Sequence, residues 1–192
     1  SNINVSIDSV LLPTMASAQD DKFRVKSMMR RAIKTSTYIM APLMMGLAFC
    51  AEPIVRLVLT DKWLPCVPFL RIFCITYMFY PIHTTNLNAI KAMGRSDLFL
   101  KLEIAKKIVG MILLLSTMWF GVMAMAYSLL VSSVLSQIIN SWPNRKLLNY
   151  GYLEQLKDIL PGIILAVFMG FCVNLVSLLN LSLIHISEPT RP

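Results

Sequence analysis

Residues 108–142 read IVGMILLLSTMWFGVMAMAYSLLVSSVLSQIINSW, a run of 35 residues without Asp, Glu, Lys or Arg. As one α-helix this run would be about 52 Å long, whereas a bilayer core of about 30 Å needs only about 20 residues. A single crossing is therefore too short to contain it. Trp119-Phe120-Gly121 is the predicted turn between two crossings, the first of which has to begin near Leu98. The stretch predicts a hairpin of two membrane-spanning helices.

The composition of the whole chain agrees with a membrane protein. The 192 residues are 56% hydrophobic and 15% charged, with a mean hydropathy of +0.65, whereas soluble domains carry about 25% charged residues. This balance excludes a disordered chain, a coiled coil and most soluble enzymes. The four cysteines, at positions 50, 66, 74 and 172, show no C-x-x-C spacing and no Cys/His cluster. We therefore expect no metal site, no cofactor and no disulfide framework.

Further apolar runs extend the predicted bundle on both sides of the hairpin. They cover residues 35–59, 64–92 and 159–180, and residues 1–15 resemble the end of a preceding crossing. The predicted fold class is all-α: a polytopic bundle of about five full transmembrane helices within residues 35–180, plus a partial one at residues 1–15. In the last run, Gly162, Ala166 and Gly170 are spaced by four and predict close helix contacts. Residues 16–34 are basic with interspersed apolar side chains and predict an interfacial helix on the cytoplasmic leaflet.

The two chain ends need separate interpretation. Residue 1 is Ser and no signal-peptide pattern follows it, so we expect the chain to begin inside a longer protein. Residues 181–192 (LSLIHISEPTRP) look like the translation of a transposon-type sequencing adapter, with 11 consecutive codons matching residues 181–191. We predict that this tail is an artefact, and we assign no function to its His185, Glu188 and Arg191.

The connections between the apolar runs differ in their content of Lys and Arg. Residues 20–34, 91–107 and 143–158 contain six, five and three basic residues, whereas 60–64 contains one and 119–121 contains none. The positive-inside rule therefore predicts that the three basic connections are cytoplasmic. Because these bases are spread over three loops without a shared motif, the net charge of +8 does not indicate a nucleic-acid partner.

Several short motifs resemble those of bacterial oligosaccharide flippases. They are residues 9–14 (SVLLPT), 19–22 (QDDK), 42–48 (PLMMGLA), 51–57 (AEPIVRL), 62–65 (KWLP), 81–83 (PIH), 86–88 (NLN), 94–103 (GRSDLFLKLE) and 153–158 (LEQLKD). Through them the chain is similar to the lipopolysaccharide or O-antigen flippases of the Wzx type, in the multidrug/oligosaccharidyl-lipid/polysaccharide exporter superfamily. The resemblance covers nearly all of residues 1–180 and is weak about the substrate.

The resemblance implies a two-bundle transporter of the bacterial inner membrane. Members move undecaprenyl-diphosphate-linked oligosaccharide from the cytoplasmic to the outer leaflet by alternating access, for lipopolysaccharide or exopolysaccharide biosynthesis. This chain would supply part of the second bundle. Its implied partners are the bilayer, the lipid-linked oligosaccharide and a missing N-terminal bundle of the same protein, and no enzymatic activity is implied.

The second predicted crossing contains three candidate substrate-binding residues. A sugar diphosphate needs cationic, hydroxyl or amide groups in a wet cavity, and such groups are costly at membrane depth. Arg71, His83 and Asn86 fall on one face of an ideal helix at about 100° per residue, and Arg71 would contact diphosphate or sugar. The alternatives are that Arg71 snorkels to the outer interface and that Asn86 bonds a neighbouring helix. Pro81 predicts a kink in this crossing.

Four other charged residues are candidates for specific roles. Lys101, Lys106 and Lys107 would attract the diphosphate on the cytoplasmic side, or they only mark the topology. Glu52 is the candidate for coupling transport to an ion gradient, because a membrane carboxylate can exchange protons. It could equally pair with Arg56, four residues later.

Other function classes predict features that this sequence lacks or shows weakly. The main alternative is a multidrug/cation antiporter of the same superfamily, for which buried acids are expected in the crossings; here only Glu52 and Glu103 qualify. A membrane-embedded enzyme of glycan assembly would need large outer loops, and no paired carboxylates or Ser/His/Asp set are evident. An inert structural subunit is compatible with the composition.

Overall fold

The computed structural model describes the backbone of residues 2–187 and the side chains of residues 9–173 and 175. This part of the chain contains helices and no strand, so the predicted all-α class is confirmed. The helices are α1 (Asn2–Ala16), α2 (Lys22–Phe49), α3 (Ala51–Leu59), α4 (Val67–Met78), α5 (Tyr80–Ala92), α6 (Ser96–Thr117), α7 (Val122–Leu148) and α8 (Tyr152–Ser187). The side chains of the 181–192 tail lie outside the described residues, so the artefact interpretation stays a prediction.

Helix α2 joins the basic segment and the first apolar run in one continuous helix. The Asp21 carboxylate caps its N-terminus by accepting hydrogen bonds from the backbone N–H groups of Phe23 and Arg24, at 3.1 and 3.0 Å. Residues 22–41 contain neither Gly nor Pro, so nothing ends the helix near position 34. The predicted separate interfacial helix at 16–34 is therefore corrected: most of it is the first half of α2.

A sharp bend follows α2 at Cys50. The axes of α2 and α3 differ by 69° across Cys50, and Pro53 lies in the first turn of α3, where its missing N–H is tolerated. A second break separates α4 from α5 at Phe79, directly before the turn that contains Pro81. The crossing predicted over residues 64–92 is therefore two helices with a kink, as Pro81 indicates.

The predicted hairpin is formed by α6 and α7. A 3₁₀ turn over Met118–Phe120 ends α6, and Gly121 connects it to α7 with a φ of +92°, in the region that favours glycine. The turn therefore lies where the sequence placed it. The side chains of Trp119 and Phe120 are 86% and 80% exposed.

Among the described helices, three segments are long and apolar enough to cross a membrane: Asp61–Ala92, Val122–Leu148 and Tyr152–Val173. A fourth is added if α2 and α3 form one bent span. Helix α6 has 22 residues, but Asp97, Glu103 and three lysines lie within its first 12 residues. The polytopic class is confirmed, whereas the fifth crossing, through α6, stays a prediction.

The most extensive contact between described helices is that of α2 with α8, and it includes the stripe of small residues. An added Cβ at Gly162 would lie 3.8 Å from Tyr38 Cα, and Ala166 is fully buried. At Gly170 the ring of Phe49 leaves no room for a Cβ. The predicted close contacts of this stripe are confirmed.

Buried apolar side chains concentrate where α1, α2, α5 and α8 meet. Met29, Ile33, Ile82 and Tyr150 are completely buried there, and Ile159 is 1% exposed. Large apolar side chains on the outer surface are exposed instead, including Ile108, Met111, Ile112, Ile164 and Phe168. Such a distribution is expected of helices whose outer faces contact lipid.

Candidate functional site

Helix α7 carries a stripe of polar side chains through its apolar sequence. Its members lie at every fourth position: Ser128, Ser132, Ser136, Asn140 and Asn144. At 1.5 Å per residue the stripe is about 24 Å long, most of the thickness of a bilayer core. Residues four apart lie on one face of a helix. The sequence reasoning missed this stripe, although its regular spacing is visible without a structure.

The Asn144 end of the stripe is part of a buried amide network. Asn86, which is fully buried, donates through Nδ2 to the Ile82 carbonyl at 2.8 Å and to Gln155 Oε1 at 2.7 Å. Its Oδ1 accepts from Asn144 Nδ2 at 2.6 Å and from Gln155 Nε2 at 3.0 Å. Both donors and the acceptor of Asn86 are thus occupied by protein groups. The network joins α5, α7 and α8, which is the helix-bonding alternative considered for Asn86.

His83 contacts the next member of the stripe. Its Nδ1 lies 2.8 Å from Asn140 Nδ2, so the ring accepts this hydrogen bond and carries its proton on Nε2. The imidazole also stacks on the ring of Tyr80, with 5.8 Å between centroids and 25° between planes. Asn140 Oδ1 is buried without a hydrogen-bond partner among the described residues.

Beyond Asn140 the stripe borders a recess of about 260 Å³ between α7 and the α4–α5 pair. Its polar and aromatic lining consists of Thr76, Tyr77, Tyr80, His83, Ser132, Ser133 and Ser136. We call it the tyrosine–serine recess. Phe73 and Leu129 complete the lining, which contains no Asp, Glu, Lys or Arg.

Arg71 lies apart from the other two candidates of its crossing. It is exposed and lines a different cavity, of about 290 Å³, with Met45, Phe49 and Ile75. The break at Phe79 separates α4 from α5, so the ideal-helix angles do not hold across it. The structure therefore does not bring Arg71, His83 and Asn86 onto one common face.

The three lysines of α6 have different environments. Lys106 is buried, and its Nζ lies 2.5 Å from Glu103 Oε1 in the same helix. Lys101 and Lys107 are exposed. Lys107 lies at the edge of a groove of about 640 Å³ between α6 and α7, which Gly110, Met111 and Ser132 also line. Only Lys101 and Lys107 are therefore accessible to an anionic ligand.

Glu52 is engaged at the outer rim of α3. Its Oε1 accepts from Arg56 Nη2 at 3.0 Å, and Arg56 Nη1 lies 3.8 Å from Asp61 Oδ1. The Glu52 side chain is 49% exposed. This geometry corresponds to the pairing alternative, and ion coupling stays a prediction. Within residues 9–173 and 175, no three His, Cys, Asp or Glu side chains are placed to hold a metal ion.

An ionic cluster joins α2 to the start of α8. Lys26 Nζ lies 3.3 Å from Glu154 Oε2, Arg30 Nε lies 2.5 Å from Asp158 Oδ2, and Lys34 Nζ lies 3.1 Å from Asp158 Oδ1. The bases are spaced by four residues, as are the acids, so each set shares a helix face. Sequence reasoning used the three bases only to predict topology and missed the cluster, although the same spacing indicates it.

Tyr150 connects this cluster to the buried core. Its hydroxyl donates to Asp158 Oδ2 at 2.9 Å, and Lys26 Nζ lies 5.4 Å from its ring centroid. Burial, and then the hydrogen bond to Asp158, raise the pKa of Tyr150. The phenol therefore stays protonated, as the bond to the carboxylate requires.

One protein family and two known proteins are similar to this chain. A family described as polysaccharide biosynthesis protein matches residues 1–68. The "Uncharacterized membrane protein in cps region" of Klebsiella pneumoniae is 29% identical over 185 residues, which are 96% of this chain and 36% of that protein. The "Lipopolysaccharide biosynthesis protein WzxC" of Escherichia coli (strain K12) is 25% identical over 139 residues, 72% of this chain and 28% of that protein.

The chain thus spans about a third of the length of these curated relatives. No solved structure matches it. The family match and both relatives agree with the motifs quoted from the sequence, and the apolar helices agree with a membrane protein. Together these findings confirm the resemblance: the chain is similar to a family described as polysaccharide biosynthesis protein and to a protein named for lipopolysaccharide biosynthesis.

Proposed function

We propose that the protein containing this chain translocates undecaprenyl-diphosphate-linked oligosaccharide across the bacterial inner membrane. In this proposal the chain supplies helices of one bundle, and an N-terminal bundle of the same protein supplies the other wall of the pathway. The similarity to a protein named for lipopolysaccharide biosynthesis supports the substrate class. Translocation changes no covalent bond, so the pathway needs binding groups and no catalytic set.

The observation that carries the proposal is the polar stripe of α7. A polar side chain in hydrocarbon needs a partner, because lipid offers no hydrogen bonds. Five hydroxyl and amide groups in regular order along about 24 Å of helix are therefore costly unless they serve packing or a polar ligand. Asn144 serves packing in the amide network, whereas Ser132 and Ser136 line an open recess. Neutral hydroxyls suit a sugar better than they suit a cationic drug.

An anionic headgroup also needs positive charge to attract it, and the basic connections supply that charge. With residues 20–34, 91–107 and 143–158 in the cytoplasm, the exposed Lys101 and Lys107 meet the inner leaflet, where lipid-linked sugar diphosphates would enter. Lys106 contributes less, because Glu103 neutralises it. Arg71, in its separate cavity, would act at the other end of the pathway.

The first test is complementation with the full reading frame that contains this chain. In cells that assemble an O-antigen but lack its flippase, we expect this frame to restore surface glycan. The variant Ser132→Leu/Ser136→Leu should reduce the restored glycan by about tenfold, since two polar contacts are lost. The matched control is Ser116→Leu, because the side chain of Ser116 is exposed on α6 outside the recess. Export of cationic dyes without any glycan export would contradict the proposal and favour the antiporter.

The second test concerns orientation. In a variant without native cysteines, Lys146→Cys should react with a membrane-impermeant maleimide only after the inner membrane is permeabilised. Lys62→Cys, in the connection with one basic residue, should react in spheroplasts. Labelling of position 146 from outside would overturn the predicted topology.

A further inference from the structure

The serine hydroxyls of α6 and α7 differ in whether their own helix satisfies them. Ser116 and Ser128 each donate to a carbonyl of their own helix at 2.8 Å. Ser132 and Ser136, on the same stripe as Ser128, make no hydrogen bond to another described residue. In an apolar environment a serine normally finds a backbone or side-chain partner. Ser136 lines the tyrosine–serine recess, and Ser132 lines both the recess and the α6–α7 groove, with its Oγ 3.4 Å from the position of a Cβ at Gly110. Both hydroxyls keep hydrogen-bonding capacity that the described residues do not use.

The opposite wall of the recess is aromatic. Tyr77, Tyr80 and His83 follow one another at intervals of three residues, with centroid distances of 6.1 Å for the first pair and 5.8 Å for the second. The hydroxyls of Tyr77 and Tyr80 likewise have no hydrogen-bond partner within the described side chains. A pyranose ring has apolar C–H faces and a rim of hydroxyls that donate and accept. The recess offers a complementary surface to both.

Charge and volume narrow the class of ligand. The lining has no Asp, Glu, Lys or Arg, so neither a diphosphate nor a cationic drug finds a counter-charge there. The volume of about 260 Å³ lies just below the range of about 300–1,000 Å³ for drug-sized ligands. A recess of this volume suits one sugar ring of the glycan.

We propose that the tyrosine–serine recess binds one uncharged sugar ring of the translocated glycan, with Ser132 and Ser136 bonding its hydroxyls and Tyr80 packing on its face. This inference rests on the proposed function, because it assigns a place to the glycan of that substrate. In this proposal the diphosphate is bound outside the recess, by the exposed Lys101 and Lys107.

The direct test measures occupancy of the recess. In the full-length protein without native cysteines, Ser136→Cys should react with a water-soluble maleimide. Purified undecaprenyl-diphosphate-linked oligosaccharide should slow this reaction by about tenfold, whereas undecaprenyl diphosphate without glycan should not change it. Equal protection by both lipids, protection by neither, or an unreactive cysteine would overturn the sugar site.

Measurements of glycan export distinguish a failure of the sugar site from a failure of the proposed function. Ser132→Ala/Ser136→Ala and, separately, Tyr80→Leu should lower glycan export by about tenfold and threefold at unchanged protein abundance. Ser116→Ala and Tyr127→Leu are the matched controls, since Tyr127 is on α7 and 56% exposed outside the recess. If the wild type exports glycan and these variants match their controls, the sugar site alone is wrong. If the wild type exports none, both proposals fall.

Discussion

The Arg30 guanidinium and the Asp158 carboxylate, 128 residues apart in sequence, form an ion pair in which Nη2 donates a hydrogen bond to Oδ1 at 2.7 Å and Nε lies 2.5 Å from Oδ2. The Asp158 side chain is 5% exposed, whereas that of Arg30 is 45% exposed. Lys34 and Tyr150 also bond the same carboxylate. One buried acceptor therefore organises the contact between the first turns of α8 and the basic half of α2.

Removing this acceptor should destabilise the protein. We expect Asp158→Ala to lower the free energy of unfolding by about 1–3 kcal/mol, because three donors lose their partner while two of them remain partly hydrated. The thermal unfolding midpoint of the full-length protein in detergent measures the effect. Asp61→Ala, whose side chain is 78% exposed, should change it by less than about 0.5 kcal/mol. Equal effects of the two substitutions would show that the cluster is not stabilising.

The buried amide network makes a prediction about Asn86. Asn86→Ala leaves Asn144 Nδ2 and Gln155 Nε2 without their shared acceptor, which costs about 2–4 kcal/mol of stability. We expect glycan export by this variant to fall only in proportion to the amount of folded protein in the membrane. Loss of export at normal abundance and normal thermal stability would instead establish Asn86 as a substrate contact.

The pair of Glu52 and Arg56 permits a charge-swap test of ion coupling. The exposed ion pair contributes about 0–1 kcal/mol to the stability of the protein. The double variant Glu52→Arg/Arg56→Glu retains an ion pair and moves the carboxylate by one helical turn. If pairing is its only role, we expect the swapped protein to restore surface glycan as the wild type does. A swapped protein that reaches the membrane in normal amount but exports no glycan would support the ion-coupling role.

Tyr150 predicts a dependence of stability on alkaline pH. Its pKa is raised in the folded protein, above the value of about 10 of an unfolded tyrosine. The folded state thus holds the phenolic proton more tightly, and this stabilisation is complete below about pH 10 and is lost as the pH rises above it. Unfolding midpoints measured between neutral and alkaline pH should fall less steeply for Tyr150→Phe than for the wild type. Tyr127→Phe should follow the wild type, and an unchanged slope in Tyr150→Phe would contradict the assignment.

The sequence was sufficient for features that depend on local chemistry. The hairpin at Trp119–Gly121 follows from a charge-free run that is too long for one crossing, and Gly121 has the backbone conformation that such a turn needs. The stripe of Gly162, Ala166 and Gly170 also packs as its spacing indicates. In both cases the residue type and its spacing decide the outcome without knowledge of distant contacts.

The sequence was insufficient where a distant partner decides a side chain's role. An ideal helix places Arg71 and Asn86 on one face, but the break at Phe79 divides the crossing, and partners from α7 and α8 enclose Asn86. Lys106 looks like its two lysine neighbours in the sequence, yet only Lys106 is buried against Glu103. Such distinctions depend on tertiary contacts, which composition and periodicity do not encode.

The kink at Phe79 has a mechanical consequence. About two turns after it, Asn86 is hydrogen-bonded to α7 and α8, which fixes α5 within the bundle. Helix α4 is joined to α5 through the kink and packs against α2 and α7. A rotation about Phe79 would displace Tyr77, on α4, relative to His83, on α5. It would thereby move the aromatic wall of the recess that faces Ser132 and Ser136. A rotation of α4 about this kink would therefore change the width of the recess while the hydrogen bonds of Asn86 stay in place.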